Sequence, residues 1–143
     1  MIAIREFVPY DLGQMGLTPV TACVGEDTAD LTYAMQLAAA GDCYTITTEN
    51  RVIACLGTTD FWPGRRYLWA FLANETKYHM LSITRAAKKW LANNDGRLET
   101  AVLCHFPEAI RWAEMLGFER EGLMKGYMPA PERFDCYLYS RVK

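Results

Sequence analysis

The residues best suited to metal or nucleophilic chemistry are two histidines, His79 and His105, and five cysteines, Cys23, Cys43, Cys55, Cys104 and Cys136. No two cysteines stand in a C-x-x-C spacing. With so few histidines beside them, the nitrogen and sulfur donors of a tetrahedral zinc site are not expected, and no metal is expected. Scattered through apolar runs, the cysteines read as buried thiols of a reducing compartment. Cys104 has no neighbour in sequence that would lower its pKa, so it reads as a strand residue rather than a nucleophile. His105 follows an apolar run and has two readings, a proton donor or acceptor and a hydrogen-bonded structural histidine. His79, in the opening turns of a helix, is an anion contact or solvated surface. The run Asp60-Phe61-Trp62-Pro63-Gly64-Arg65-Arg66 sets an aromatic pair beside two arginines. It is a partner-binding loop or a tight surface connection. Trp62, Trp69, Trp90 and Trp112 fall on separate elements and read as core or core edge.

The elements that must position these groups follow from hydrophobic period. Ile2 and Ile4 alternate with polar or small neighbours in a first strand that ends before Pro9. Residues 10–17 form a turn of helix and irregular chain, weakened by Gly13 and Gly16. Leu31, Ala34, Met35 and Ala38 share one helical face, with Asp27 or Thr28 to cap the start and Gly41 to take the left-handed position after the end. Residues 43–48 and 51–57 are β-rich and turn at Glu49-Asn50, a hairpin. A polar connection over residues 60–64 interrupts the sheet before an apolar strand over residues 66–72. Asn74 or Thr76 caps a helix with Met80, Ile83, Ala87, Trp90 and Leu91 inward, and the helix stops at Asn93-Asn94-Asp95-Gly96. Residues 98–104 form another apolar strand. Pro107 opens a last helix that Gly117 closes. Residues 119–127 and 134–141 pair as a hairpin through a link over residues 128–132.

The order is βααβββαβαββ. Strand, helix, strand alternation makes the fourth and fifth strands parallel through a crossover. An α/β mixed, twisted sheet of about seven strands with helices on both faces satisfies every apolar stripe. The chain reads as one domain over residues 1–143. Composition agrees: 51% hydrophobic and 22% charged residues are ordinary for a globular chain, and a net charge of −2 argues against a nucleic-acid partner. The first residues do not read as a signal peptide, and no apolar run approaches the ~20 residues of a membrane span. The expectation is a cytoplasmic protein without a membrane partner.

The stretch Ala109-Ile110-Arg111-Trp112-Ala113-Glu114-Met115-Leu116-Gly117-Phe118-Glu119, taken with the strand order, resembles the GNAT (Gcn5-related) N-acetyltransferase superfamily. Trp69-Ala70-Phe71, Arg85-Ala86-Ala87-Lys88-Lys89-Trp90 and Ala109-Ile110-Arg111-Trp112 resemble, within that fold, the small internal virion proteins of short-tailed phages. The resemblance implies transfer of acetyl from acetyl-CoA to an amine, on a small molecule or on a phage or host protein. It implies that the fourth and fifth strands part and that the pantetheine arm pairs with the fourth. Phe71, Leu72, Ala73 and Phe106 would border that groove. Lys77, His79 and Ser82 would meet the pyrophosphate at the next helix N-terminus. Arg85, Lys88 and Lys89 would face an adenosine 3′-phosphate or simply solvent. His105 and Tyr127 are the candidate proton-transfer residues.

Two departures from the family pattern stand out. Residues 74–82 contain no glycine where the family has a glycine-rich loop, and Ala113 stands where many relatives carry a tyrosine. The alternative is therefore a catalytically silent GNAT-like fold kept as an internal virion or interaction protein. The last hairpin can serve as a homodimer contact in such sheets.

Overall fold

A computed structural model gives the structure of the protein, which describes residues 1–15 and 31–143. Seven strands form one sheet: β1 (Ala3–Glu6), β2 (Cys43–Thr48), β3 (Arg51–Trp62), β4 (Arg65–Leu72), β5 (Arg97–Leu103), β6 (Glu119–Met124) and β7 (Cys136–Val142), in the spatial order β1-β2-β3-β4-β5-β7-β6. The β4–β5 pair is parallel and every other pair antiparallel. Three α-helices are described, α1 (Leu31–Ala40), α2 (Met80–Ala92) and α3 (Pro107–Met115), with 3-10 turns at Pro9–Gln14 and Asn74–Tyr78. None of the described helices is long and apolar enough to cross a membrane.

Side chains alternate across each strand, and β4 shows where the alternation leads. Trp69 and Phe71 pack with Phe7, Leu12, Ala34 and Leu37, under α1 and the first 3-10 turn. On the other face Leu68 joins Leu91, Leu98, Val102, Ala113 and Phe118, beneath α2 and α3, while Leu72 packs with Ile46, Ala54 and Ile83. Trp112 Nε1 donates to Thr84 Oγ1 at 2.9 Å and ties α3 to α2. The expected mixed sheet with helices on both faces is the fold found.

Four local expectations are corrected. The connection over residues 60–64 is mostly strand: β3 runs on to Trp62, with Thr58 opposite Leu68 and Asp60 opposite Arg66, leaving only Pro63-Gly64 as the turn. Aromatic residues and a threonine pair there favour pairing over a polar loop. The helix after β4 is not capped by Asn74 or Thr76. A 3-10 turn intervenes, the Thr76 hydroxyl donates to the Ala73 carbonyl at 2.7 Å, and His79 takes the cap position of α2 with no side-chain cap bond. Gly41 is not left-handed, since its φ lies outside the positive region. Its role is close approach: a Cβ there would sit 2.3 Å from the Thr58 carbonyl oxygen. The last hairpin is shorter than expected, with β6 ending at Met124 and β7 beginning at Cys136. The caps expected at Asp27 or Thr28 lie outside the described residues. Glu49 and Asn50, with φ of 50° and 64°, make the expected turn between β2 and β3, and Gly117 at φ 93° closes α3.

Replacing Gly41 with alanine drives a methyl group into the backbone of β3. Gly41→Ala is expected to lower stability by about 1–3 kcal/mol in denaturant unfolding, the usual cost of overpacking a site that cannot give way. Gly13→Ala, where a Cβ meets nothing within 4 Å, is the control and should leave the midpoint nearly unchanged.

Candidate active-site cleft

β4 and β5 pair at three positions only, Arg65 with Arg97, Arg66 with Leu98, and Tyr67 with Glu99. Beyond them the strands separate. β3 stays paired with β4 as far as Leu72, and β7 stays paired with β5 as far as Leu103, so the gap opens at this junction alone. A side chain bridges the start of the gap, the Thr100 hydroxyl donating to the Leu68 carbonyl at 3.0 Å. The cause is a division of the core. Past Tyr67, β4 is drawn to the aromatic cluster in which the Phe7, Trp69 and Phe71 rings meet edge-on or tilted, with centroids under 6 Å apart. β5 is drawn to the cluster beneath α2 and α3 through Leu98 and Val102.

The closed end is held by charge. Glu99, buried at 6% exposure, accepts from Arg65 Nε at 2.5 Å and Nη2 at 3.1 Å, and from Arg97 Nε at 2.8 Å. Arg97 also forks onto Glu121 of β6 at 2.7 and 2.8 Å, and Glu121 accepts the Ser140 hydroxyl of β7. Bidentate guanidinium–carboxylate pairs are the strong, directional kind. The Arg65 guanidinium, with Arg97 beside it, holds the Glu99 carboxyl below the usual range, and Arg97 with Ser140 takes Glu121 down to about 2.

A cavity of about 840 Å³ runs through the splay. Tyr67, Trp69 and Phe71 wall it on the α1 face, Ala87 and Trp90 of α2 on the other, and Tyr127 also lines it. Burial pushes the Tyr67 phenol far above its ordinary value; nearby Tyr127 adds to the rise, and the Ala101 backbone amide facing the phenol oxygen offsets part of it. The Trp69 indole N–H is buried without a hydrogen-bond partner among the described residues.

The sequence-derived candidates fall into two groups. Phe71, Leu72 and Tyr127 line the cavity. Ala73 is fully buried at the end of β4, its amide donating to the Ile53 carbonyl at 2.8 Å. Lys77 is exposed on the 3-10 turn with its ammonium 5.1 Å from the centre of the Tyr78 ring. His79 caps α2, and Ser82 is exposed in its first turn. Phe106 takes the cap position of α3, with its ring 4.7 Å from that of exposed His105, which also meets Phe134 at 4.7 Å. His105 and Phe106 lie outside the cavity lining. Burial raises the Cys104 thiol, in keeping with a cysteine that is not a nucleophile. No cluster able to hold a metal ion occurs among the described residues.

Sequence reasoning missed Tyr67, Thr100 and the carboxylates Glu99 and Glu121. A signal for Tyr67 was present: Arg65-Arg66-Tyr67-Leu68-Trp69-Ala70-Phe71 puts one phenol on the aromatic face of a central strand. Glu99 is harder to find, because nothing nearby in sequence shows that two arginines will converge on it.

Neither a protein-family model nor a curated protein sequence matches the chain. Solved structures do match in fold. Ard1 from Thermoplasma volcanium superposes with a TM-score of 0.78 at 14% identity, over 99% of this chain and 97% of that one. A probable acetyltransferase from Staphylococcus epidermidis gives 0.77 at 15% identity, over 99% and 98%. The ribosomal-protein-S18-alanine N-acetyltransferase from Escherichia coli gives 0.70 at 16% identity, over 98% and 92%. The chain therefore has the GNAT fold, the fold of N-acetyltransferases.

The ion network at the closed end sets a pH dependence. Its carboxylates have folded pKa values depressed below 4.5, so their stabilisation is fully present above that pH and is lost as pH falls toward about 2. A Glu99→Gln/Glu121→Gln double variant should melt below the wild type at pH 6, with the gap closing steadily between pH 4.5 and 2 in thermal unfolding.

Proposed function

We propose that the chain is a GNAT-type N-acetyltransferase that moves acetyl from acetyl-CoA to an amine. The observation that carries this reading is the parting of β4 and β5 past Tyr67, which exposes strand edges that a sheet ordinarily pairs. The residues present fit a thin, extended thioester. Beyond Tyr67 the edge of β4 no longer pairs with β5, and its backbone turns toward the pantetheine arm. The first-turn amides of Met80, Leu81 and Ser82 have no partner within the helix, and with Lys77 they would hold the pyrophosphate. Glu75, the one carboxylate nearby in sequence, has Arg51 within 4.0 Å to offset it. Acetyl-CoA supplies the activated carbonyl carbon. The acceptor nitrogen bonds to that carbon as the carbon–sulfur bond breaks, and the proton lost from nitrogen ends on sulfur. Tyr127, on the cavity wall, is the candidate to pass that proton, while His105 lies outside the lining.

A second reading is favoured by the phosphate end. Residues 74–82 place bulky side chains, among them Tyr78 at 75% exposure and Leu81 at 67%, where the family has glycines. On this reading the fold is catalytically silent and serves as an interaction protein, with the internal virion proteins of short-tailed phages as its setting.

Ligand-dependent stability separates the two. At ~100-fold over its dissociation constant, acetyl-CoA should stabilise the protein by about 2.7 kcal/mol, a melting shift of several degrees. Ser82→Glu adds a carboxylate at a helix N-terminus, which is neutral or favourable to the free protein but repels a pyrophosphate. That variant should keep its melting temperature without ligand and bind acetyl-CoA at least tenfold more weakly in calorimetry. A wild type that shifts with neither acetyl-CoA nor CoA supports the silent reading.

A further inference from the structure

Tyr67 stands on the last paired register of the β4–β5 junction, opposite Glu99, at the point where the strands begin to separate. Its ring packs on the aromatic cluster of the α1 face, which fixes its direction, and it lines the cavity. Across the gap its hydroxyl oxygen faces the backbone amide of Ala101, two residues beyond its register partner. In a zipped sheet a β5 amide turned toward β4 would meet a β4 carbonyl; here a phenol oxygen faces one instead. Tyr67 lines the cavity, so open volume lies beside its side chain. Among the described residues, its titratable neighbours are Tyr33, Tyr127 and Cys136, none of them a carboxylate or a cation.

We propose that Tyr67 recognises the acyl carbonyl of the bound thioester, donating its hydroxyl proton as a hydrogen bond to the carbonyl oxygen at the closed end of the cleft. The proposal rests on the acetyltransferase reading and adds the group that distinguishes an acylated from a free thiol ligand. Burial keeps the phenol protonated at neutral pH, so it acts as a hydrogen-bond donor throughout and gives up no proton. Charge that develops on the carbonyl oxygen during transfer would strengthen the same bond.

Calorimetry with acetyl-CoA and with CoA, on wild type and Tyr67→Phe, is the test. The wild type should bind acetyl-CoA about fivefold or more tighter than CoA, and the variant should lose that preference while binding CoA unchanged. A Tyr67→Phe protein that keeps the full preference overturns the proposal and leaves the acetyltransferase reading standing. Binding of neither ligand to the wild type overturns both. A second measurement does not depend on the variant's folding. The infrared carbonyl band of [1-¹³C]acetyl-CoA should move to lower frequency on binding the wild type, and a band at its solution position or above overturns the proposal. The same band should move back in Tyr67→Phe, a change that a merely structural loss of the hydroxyl would not produce. Thr100→Val, which removes the other hydroxyl at the junction, should leave the wild-type band position intact.

Discussion

The shared carboxylate of Glu99 is the interaction on which the cleft depends. A three-register parallel pair is too short to hold two strands together by its backbone bonds alone. Two guanidiniums, one from each strand, converge on Glu99 and supply what the ladder lacks. The group is nearly buried, so the pairing is obligatory: a carboxylate left there without its cations would have neither water nor partner. Arg97 then carries the charge pattern outward to Glu121, and through Ser140 to β7. The closed end of the cleft thus belongs to one network spanning β4, β5, β6 and β7. Backbone bonds from Gly96 to Lys143 and from Arg97 to Gly64 brace the same end.

A clamp at one end does not by itself keep the other end open. That follows from dividing the core into separate clusters. From Trp69 on, the alternating side chains of β4 are bound to partners on two faces, aromatic under α1 and aliphatic under α2. β5 makes its contacts in a third cluster with α3 and Phe118. Closing the gap would require one strand to abandon its own cluster, and the few backbone bonds regained at about 1 kcal/mol each would not offset the loss of buried side chains such as Trp69 or Val102. The cleft is therefore a property of the fold rather than of a ligand, and the strand edges facing it present backbone groups with which an occupant can pair.

This explains which parts of the protein could be read from the chain. Element order and the parallel β4–β5 pair were legible because each depends on local period and on short connections, as in residues 80–91 with their inward stripe or Pro107 and Gly117 at the ends of α3. Failures occurred where distant contacts decide. Gly41 looks like a helix stop, yet its smallness answers to the Thr58 carbonyl on another strand. Residues 60–62 look like a loop until Arg65 and Arg66 are seen opposite them. In the site, the cavity-lining Phe71 and Leu72 came from which strands the resemblance implies must part, and Tyr127 from its place at the end of the expected sixth strand. Tyr67 and Glu99 did not, because one acts through a neighbouring strand's amide and the other through two arginines distant from each other in sequence.

The missing glycines in residues 74–82 bear on the phosphate end in a narrower way than the sequence suggests. Glycine is needed in such a loop when the backbone must take a positive φ or when a Cβ would block the anion. The first need does not arise: the positive-φ residues described are Glu49, Gly64, Asn50, Gly96, Gly117, Gly126 and Arg133, and none lies in this segment. A 3-10 turn running into α2 presents its amides from ordinary helical backbone, and the dipole of a thirteen-residue helix stands behind them. What remains is the second need, the bulk of side chains at the surface. Tyr78 and Leu81 are exposed and have rotamer freedom, so they can turn aside at the cost of some side-chain entropy. On the acetyltransferase reading, these side chains would weaken pyrophosphate binding by degree, whereas the β4–β5 opening would decide whether the pantetheine arm can enter at all.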